Sequence, residues 1–172
     1  MAAEPNHDNP PLPALGDASG SLEVRQRLLT VSTRRAPEII DLTDEIVAFC
    51  AEAVPALTGQ LTVHSTHTTA AIVLNEMEPL LGEDTLELLA RLVPPAAYRH
   101  DDFDRRRVNL DSPPRENARA HLQHLLLGHG CTLPVSAGRP SLGRWQRVLL
   151  IELDTPGDRQ LVLQLLGVAT GD

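Results

Sequence analysis

The apolar residues of this chain come in short segments, and the chemistry-bearing side chains gather in polar knots between them. The knots are His67-Thr68-Thr69, Asn75-Glu76, Tyr98-Arg99-His100-Asp101, His121 and Gly143-Arg144-Trp145-Gln146. A site assembled from several loops of one small domain reads this way in sequence. With 172 residues and 42% hydrophobic content, the chain fits one compact domain with an ordinary core. A net charge of −8 argues against a nucleic-acid partner, because such a footprint needs clustered positive charge to displace phosphate counterions. The chain contains no lysine, which excludes Schiff-base catalysis by that residue. No apolar run approaches the ~18 residues of a membrane span, and the first residues lack the basic and apolar regions of a signal peptide. A cytoplasmic protein with no membrane partner is expected.

Residues 1–19 hold Pro5, Pro10, Pro11 and Pro13 with few apolar side chains and are expected to be a disordered tail, followed by a single domain over 20–172. Partial alternation predicts strands over Leu22 to Thr30 and Glu38 to Leu42. Thr43 reads as an N-cap with Asp44 and Glu45 in the first turn, ahead of a stripe formed by Ile46, Val47, Phe49, Cys50, Ala53 and Val54. Gln60 to Leu74 reads as two strands or one long bent one. Pro79 opens a second helix with Leu81, Leu88, Leu89 and Leu92 expected inward, which must stop by Pro94-Pro95. Tyr98 to Glu116 reads as a long loop, and one this long is usually functional. Asn117 is a plausible cap for a third helix with Leu122, Leu125 and Leu126 inward, closed by Gly128. Strands over Cys131 to Val135, Trp145 to Leu153 and Arg159 to Leu166 bring the count to about seven, with three helices: an α+β fold with a largely antiparallel sheet or sandwich. Cys50 and Cys131 lack the spacing of a zinc knuckle or a disulfide framework and are expected to be reduced core residues.

Each candidate has a structural reading beside the chemical one. Neutral imidazole is the commonest metal ligand, and three histidines leaving one position open make a catalytic zinc pattern, so His67, His100 and His121 form a possible set. For any one of them, a hydrogen-bonded, half-buried ring is the simpler assignment. Strand alternation separates His64 from His67, which leaves His64 structural; His124 lies on the same helix face as His121; His129 follows a helix-ending glycine; His7 lies in the tail. Glu78, just before Pro79, suits a helix cap as well as a catalyst. Glu152 stands in the apolar run Val148 to Leu153, where a carboxylate costs several kcal/mol unless it meets a charge, a metal or donors. Asn75 and Gln146 can orient a ligand or a histidine. Arg99, Arg139 and Arg144 are candidates for phosphate, whereas Arg105 to Arg107 read as a solvated charge patch. Thr68-Thr69 offers hydroxyls and amides to an anion. No P-loop, nucleophile elbow or paired CxxC is present.

With these residues in place, the chain resembles the YjbQ family, described as secondary thiamine-phosphate synthase enzymes, from about Leu22 to Gly167. The landmarks run in order: His67-Thr68-Thr69-Ala70, Asn75-Glu76 with Pro79, Val93-Pro94, Tyr98 with His100-Asp101, Asn117 with Ala120-His121, Leu126-Leu127-Gly128, Pro134, Gly138-Arg139, Gly143 with Trp145-Gln146, and Glu152. The resemblance implies a YjbQ-like β-sandwich protomer assembling as a homotrimer, with a divalent metal (zinc or magnesium) or an anion near the matched histidines. It implies His67, His100 and His121 as metal ligands and Glu76, Asp101 and Glu152 as catalytic carboxylates. Thr68, Thr69, Asn75, Arg139, Arg144, Trp145 and Gln146 would hold a small phosphorylated substrate. Arg144, Gln123 and Arg147 depart from the residues usual in the family and bear on substrate choice. The implied reaction joins a pyrimidine diphosphate to a thiazole phosphate and expels pyrophosphate, which requires stabilisation of the departing charge. A metal-dependent hydrolase of small phosphorylated compounds and a non-catalytic trimeric ligand-binding protein are the rival expectations.

Overall fold

The computed structural model describes residues 9–13, 15–53 and 57–169; positions 1–8 and 14 of the expected tail, and Val54 of the expected helix stripe, lie outside the described residues. The elements are β1 (Leu22–Ser32), β2 (Glu38–Asp41), α1 (Thr43–Ala53), β3 (Leu57–Ser65), β4 (Ala70–Asn75), α2 (Pro79–Leu92), a single 3-10 turn (Arg99–Asp101), α3 (Ala118–Leu127), β5 (Gly130–Ser136), β6 (Arg139–Pro140), β7 (Arg147–Glu152) and β8 (Asp158–Ala169). All strand pairs are antiparallel, in a five-stranded sheet β1-β8-β3-β5-β6 and a three-stranded sheet β2-β7-β4. The fold is therefore α+β, with β6 as one short strand beyond the expected seven.

Period-two alternation builds the core. On β8, Leu161, Leu163 and Leu165 point inward, and β3 sets Val63 opposite Leu163 and Leu61 opposite Leu165. These meet Ala70, Ile72, Val148 and Leu150 of the smaller sheet, with Leu42, Ile46, Phe49 and Cys50 from α1 and its entry closing one side. Every residue of β7 is buried, because the five-stranded sheet covers one face of this central strand while Leu149 and Ile151 face a cavity beside the start of α2.

Several local expectations are corrected. Thr43 does not cap α1 with its side chain: its hydroxyl accepts the Val148 N–H at 2.9 Å, and the Asp41 carboxylate takes the Thr43 N–H at 2.9 Å. Val47 is exposed. On α2 only Leu89 is buried, whereas Leu88 and Leu92 face outward. α3 reverses its expected orientation: Ala118, Ala120 and Gln123 are buried, while Leu122, Leu126 and the 78%-exposed Leu125 face outward. Small alanines allow close approach of a helix, so this helix packs by its alanines and leaves a leucine stripe uncovered in the single chain.

Other local signals hold. Pro79 sits in the first turn of α2, and Glu78 is its cap, accepting the N–H groups of Leu80 at 3.0 Å and Leu81 at 2.7 Å. Gly128 ends α3 at φ +88°, a conformation that favours glycine.

Candidate functional site

The pairing of β4 with β7 decides which polar knots can meet. Ala70 lies opposite Glu152 and Asn75 opposite Arg147, so His67-Thr68-Thr69 and Glu152 share one end of the smaller sheet, while Asn75-Glu76 and Trp145-Gln146 share the other. Five residue steps of strand separate the ends by roughly 17 Å. One chain therefore holds two groups of candidates.

At the first end, Glu152 has the same strand parity as Val148 and Leu150 and so points between the sheets, where it is 0% exposed. Arg159, on the inward parity of β8, reaches Glu152 Oε2 with its Nε–H, and its NH2 group donates to the Thr155 carbonyl. Glu152 Oε1 accepts the backbone N–H groups of Leu153 at 3.1 Å, Asp154 at 3.0 Å and Thr155 at 3.3 Å. Thr33 closes the cluster, accepting the Gly157 N–H at 2.9 Å on its hydroxyl. The buried carboxylate is thus satisfied by a guanidinium and three amides, the condition under which a charge tolerates burial. It fixes the 152–159 turn. His67 lies beside this cluster, and its Nε2 accepts the Gln160 N–H at 2.9 Å. Burial, and next the Arg159 charge, hold the His67 pKa below the usual imidazole value, against the opposing pull of Glu152.

Next to it lies an imidazole pair: the rings of His100 and His121 meet edge to face with centroids 4.9 Å apart. His121 comes from the second turn of α3, and its Nδ1 lies 3.2 Å from the Thr68 carbonyl. A carbonyl only accepts, so Nδ1 carries the proton and Nε2 of the neutral ring is left as the acceptor. Burial, and next His100, lower the His121 pKa, with Arg106 adding to the effect while the Thr68 carbonyl and Asp154 oppose it. Asp101 caps α3, its Oδ1 accepting the N–H groups of Asn117 and Ala118 at 3.0 Å each. The Asn117 side chain makes no capping bond and donates instead to Asp154 Oδ2 at 3.2 Å. Thr69 is buried, its carbonyl accepting the Leu153 N–H at 3.1 Å.

At the second end, Asn75 and Glu76 are exposed at the rim of a cavity of about 120 Å³ backed by Leu149 and Ile151. Gln146 folds back on its own turn, its Oε1 accepting the Gly143 N–H at 2.8 Å. Arg144 stacks over the half-exposed Trp145 ring at 4.4 Å, and Arg139 lines a groove with Asn9, Pro10 and Leu142. Arg147, which is 7% exposed, binds Asp41 at 2.6 Å, Asp44 at 3.1 Å and the Asn9 side chain at 3.3 Å.

The histidines do not make a metal cage within one chain. Among the described residues no group of three His, Cys, Asp or Glu side chains is placed to hold an ion, and His67 Nε2 is engaged by a backbone amide. His100 and His121 come together; His67 is directed instead to the Glu152–Arg159 cluster. The sequence reading missed Arg159, Thr33 and Asp154. The inward parity of Arg159, two residues before the buried Leu161, was the available signal.

A family profile described as UPF0047 protein YjbQ-like matches residues 27–168. A UPF0047 protein from Archaeoglobus fulgidus is 40% identical over 139 residues, 80% of this chain and 98% of its own. The UPF0047 protein YjbQ of Salmonella typhimurium is 34% identical over 146 residues, covering 83% and 97%. Among solved structures, a YbjQ-like protein of unknown function from Sulfolobus solfataricus superposes with a TM-score of 0.75 at 32% identity, over 86% of this chain and 99% of that one.

Proposed function

The chain belongs to the UPF0047 YjbQ-like family, and on that premise we propose that it is a cytoplasmic, homotrimeric enzyme acting on small phosphorylated compounds, a secondary thiamine-phosphate synthase-like transferase. The observation that carries this reading is the His100–His121 pair beside Thr68. An imidazole whose tautomer is set by a carbonyl and whose pKa is held down presents a neutral, hydrogen-bond-accepting Nε2 near neutral pH, which suits it to orient an N–H-bearing heterocycle, since the thiazole nitrogen attacks with a lone pair and needs no base. In the condensation, the thiazole nitrogen attacks the pyrimidine methylene, the C–O bond breaks, and pyrophosphate leaves with the electron pair. Positive charge near the histidines would stabilise that departing group. The three histidines do not fit a metal cage in one chain, so no step is routed through an ion.

The homotrimer reading is supported by the outward leucines: Leu88 and Leu92 on α2, with Leu122, Leu125 and Leu126 on α3, present apolar surface on two helices that border the same cavity. Exposed apolar faces mark interaction surfaces, and contact between identical copies is the use proposed for this one.

The test incubates purified protein with the pyrimidine diphosphate and the thiazole phosphate, with and without magnesium or zinc. Thiamine phosphate and pyrophosphate in equal amounts, lost in His121→Ala with the fold intact, support the proposal. Free phosphate without condensation replaces it with a hydrolase. Binding without turnover replaces it with a ligand-binding role.

A further inference from the structure

Between the 3-10 turn and α3 the chain curls into an open cup of about 330 Å³ lined by Arg99, His100, Arg105, Arg106, Val108 and Asn109. No carboxylate is among these lining residues, on a chain whose net charge is −8. Asp101, Asp102 and Asp104 stand in the same stretch of chain but outside the lining, so the cations face the cup and the carboxylates do not line it.

Arg106 explains why the cup holds its form. Its Nε–H donates to the Val108 carbonyl at 3.2 Å, its NH1 group to the His100 carbonyl at 3.4 Å and its NH2 group to the Asn109 carbonyl. Three backbone carbonyls orient the guanidinium but carry no formal charge, so the loop is wrapped around a cation that they do not neutralise. Arg105 touches Asp102 at 3.8 Å with its side chain 72% exposed, and an ion pair this open contributes little. Arg99 stands at the 3-10 turn beside His100, on the exposed surface. Nearby, Asp101 directs an oxygen to the first amides of α3.

We infer that this cup is an anion site for the phosphate or pyrophosphate group of a small phosphorylated ligand. Arg99 and Arg105 supply guanidinium forks, Arg106 supplies a fixed positive charge, and His100 links the cup to His121. The planar fork matches phosphate oxygens, and several cations converging on one cup favour a doubly charged group over a single carboxylate. The inference deepens the proposed reading by giving its substrate phosphate a place. It moves that role from Arg139 and Arg144, which lie at the Asn75 end of β4, to a loop that composition alone marks as solvated charge.

The experiment titrates inorganic phosphate and pyrophosphate into the full chain at low ionic strength, following the ring signals of His100 and His121 by NMR. In Arg99→Gln/Arg105→Gln, whose altered side chains are exposed, affinity is expected to fall roughly tenfold or more, and in Arg139→Gln/Arg144→Gln to stay within about twofold. Unchanged affinity in the first variant, a loss in the second, or no binding to the parent protein overturns the site. The condensation assay is run in parallel. Arginine-dependent phosphate binding without thiamine phosphate leaves the cup standing and removes the synthase reading; condensation with phosphate binding insensitive to Arg99 and Arg105 does the reverse.

Discussion

Glu152 and Arg159 form an ion pair inside the sandwich, the carboxylate fully out of solvent and the guanidinium side chain 12% exposed. Removing one partner of such a pair leaves a buried charge without compensation, which costs about 3–5 kcal/mol. Glu152→Ala is expected to lose at least that much stability in urea unfolding, because the amides of Leu153, Asp154 and Thr155 lose their acceptor as well. A loss below about 1 kcal/mol would show that the cluster contributes little to the fold.

Asp101 has both a capping position and a candidate chemical role, and two substitutions separate them. Asp101→Ala removes the acceptor at the start of α3 and is expected to cost ~1 kcal/mol, whereas Asp101→Asn keeps an oxygen acceptor there and costs less. If Asp101→Asn also keeps full turnover, the carboxylate is a cap and nothing more.

The pH dependence of stability follows from three histidines. Burial is the first cause of the lowered pKa at His67, His121 and His124, joined at His124 by the charges of His129 and His121. The unfolded chain, titrating near the ordinary value of about 6.5, then binds protons that the folded chain resists. Stability is therefore full above that value, declines as pH falls through it, and stops declining below the folded pKa. Thermal unfolding from pH 8 to pH 5.5 should show this slope, and His124→Gln should flatten it. A flat or rising profile toward acid contradicts the assignment.

Arg147 ties Asp41, Asp44 and Asn9 together at the far end of β7. Arg147→Met is expected to destabilise the domain by about 2–4 kcal/mol, because it removes the cation from the Asp41 carboxylate, and to raise exchange of the Asn9 amide, which donates to the Arg144 carbonyl at 2.9 Å. Unchanged exchange there would place the hold on Asn9 elsewhere.

The outward leucines give a test of assembly. Leu125→Asp and Leu88→Asp together are expected to convert the proposed homotrimer to monomer in light scattering while the far-ultraviolet circular dichroism is kept. A parent protein that is already monomeric removes the assembly from the proposal.

Strand positions were legible because alternation at Leu161, Leu163 and Leu165 records burial directly, and helix ends because Pro79 and Gly128 act through local backbone geometry. Helix orientation was not legible at α3, since an apolar stripe states that a face avoids water without stating what covers it; Ala118 and Ala120 took the inner side. The grouping of the site failed for a related reason. Polar knots announce loops, but the pairing of Ala70 with Glu152 and of Asn75 with Arg147 sorts those loops to opposite ends, and pairing is a property of two strands. Glu78 was legible as a cap because its donors lie two and three residues on, whereas Asp101 finds its donors at Asn117 and Ala118, which only the fold brings beside it.

A strand enclosed on both faces is also a ruler. Sliding β7 by a single residue would press the Glu152 carboxylate toward the helices and deliver Ile151 to Arg159, so the sheet admits one setting only. The gap between the histidine end and the Asn75 end is consequently as rigid as the core itself, and a ligand spanning both would have to match that length because the protein cannot shorten it.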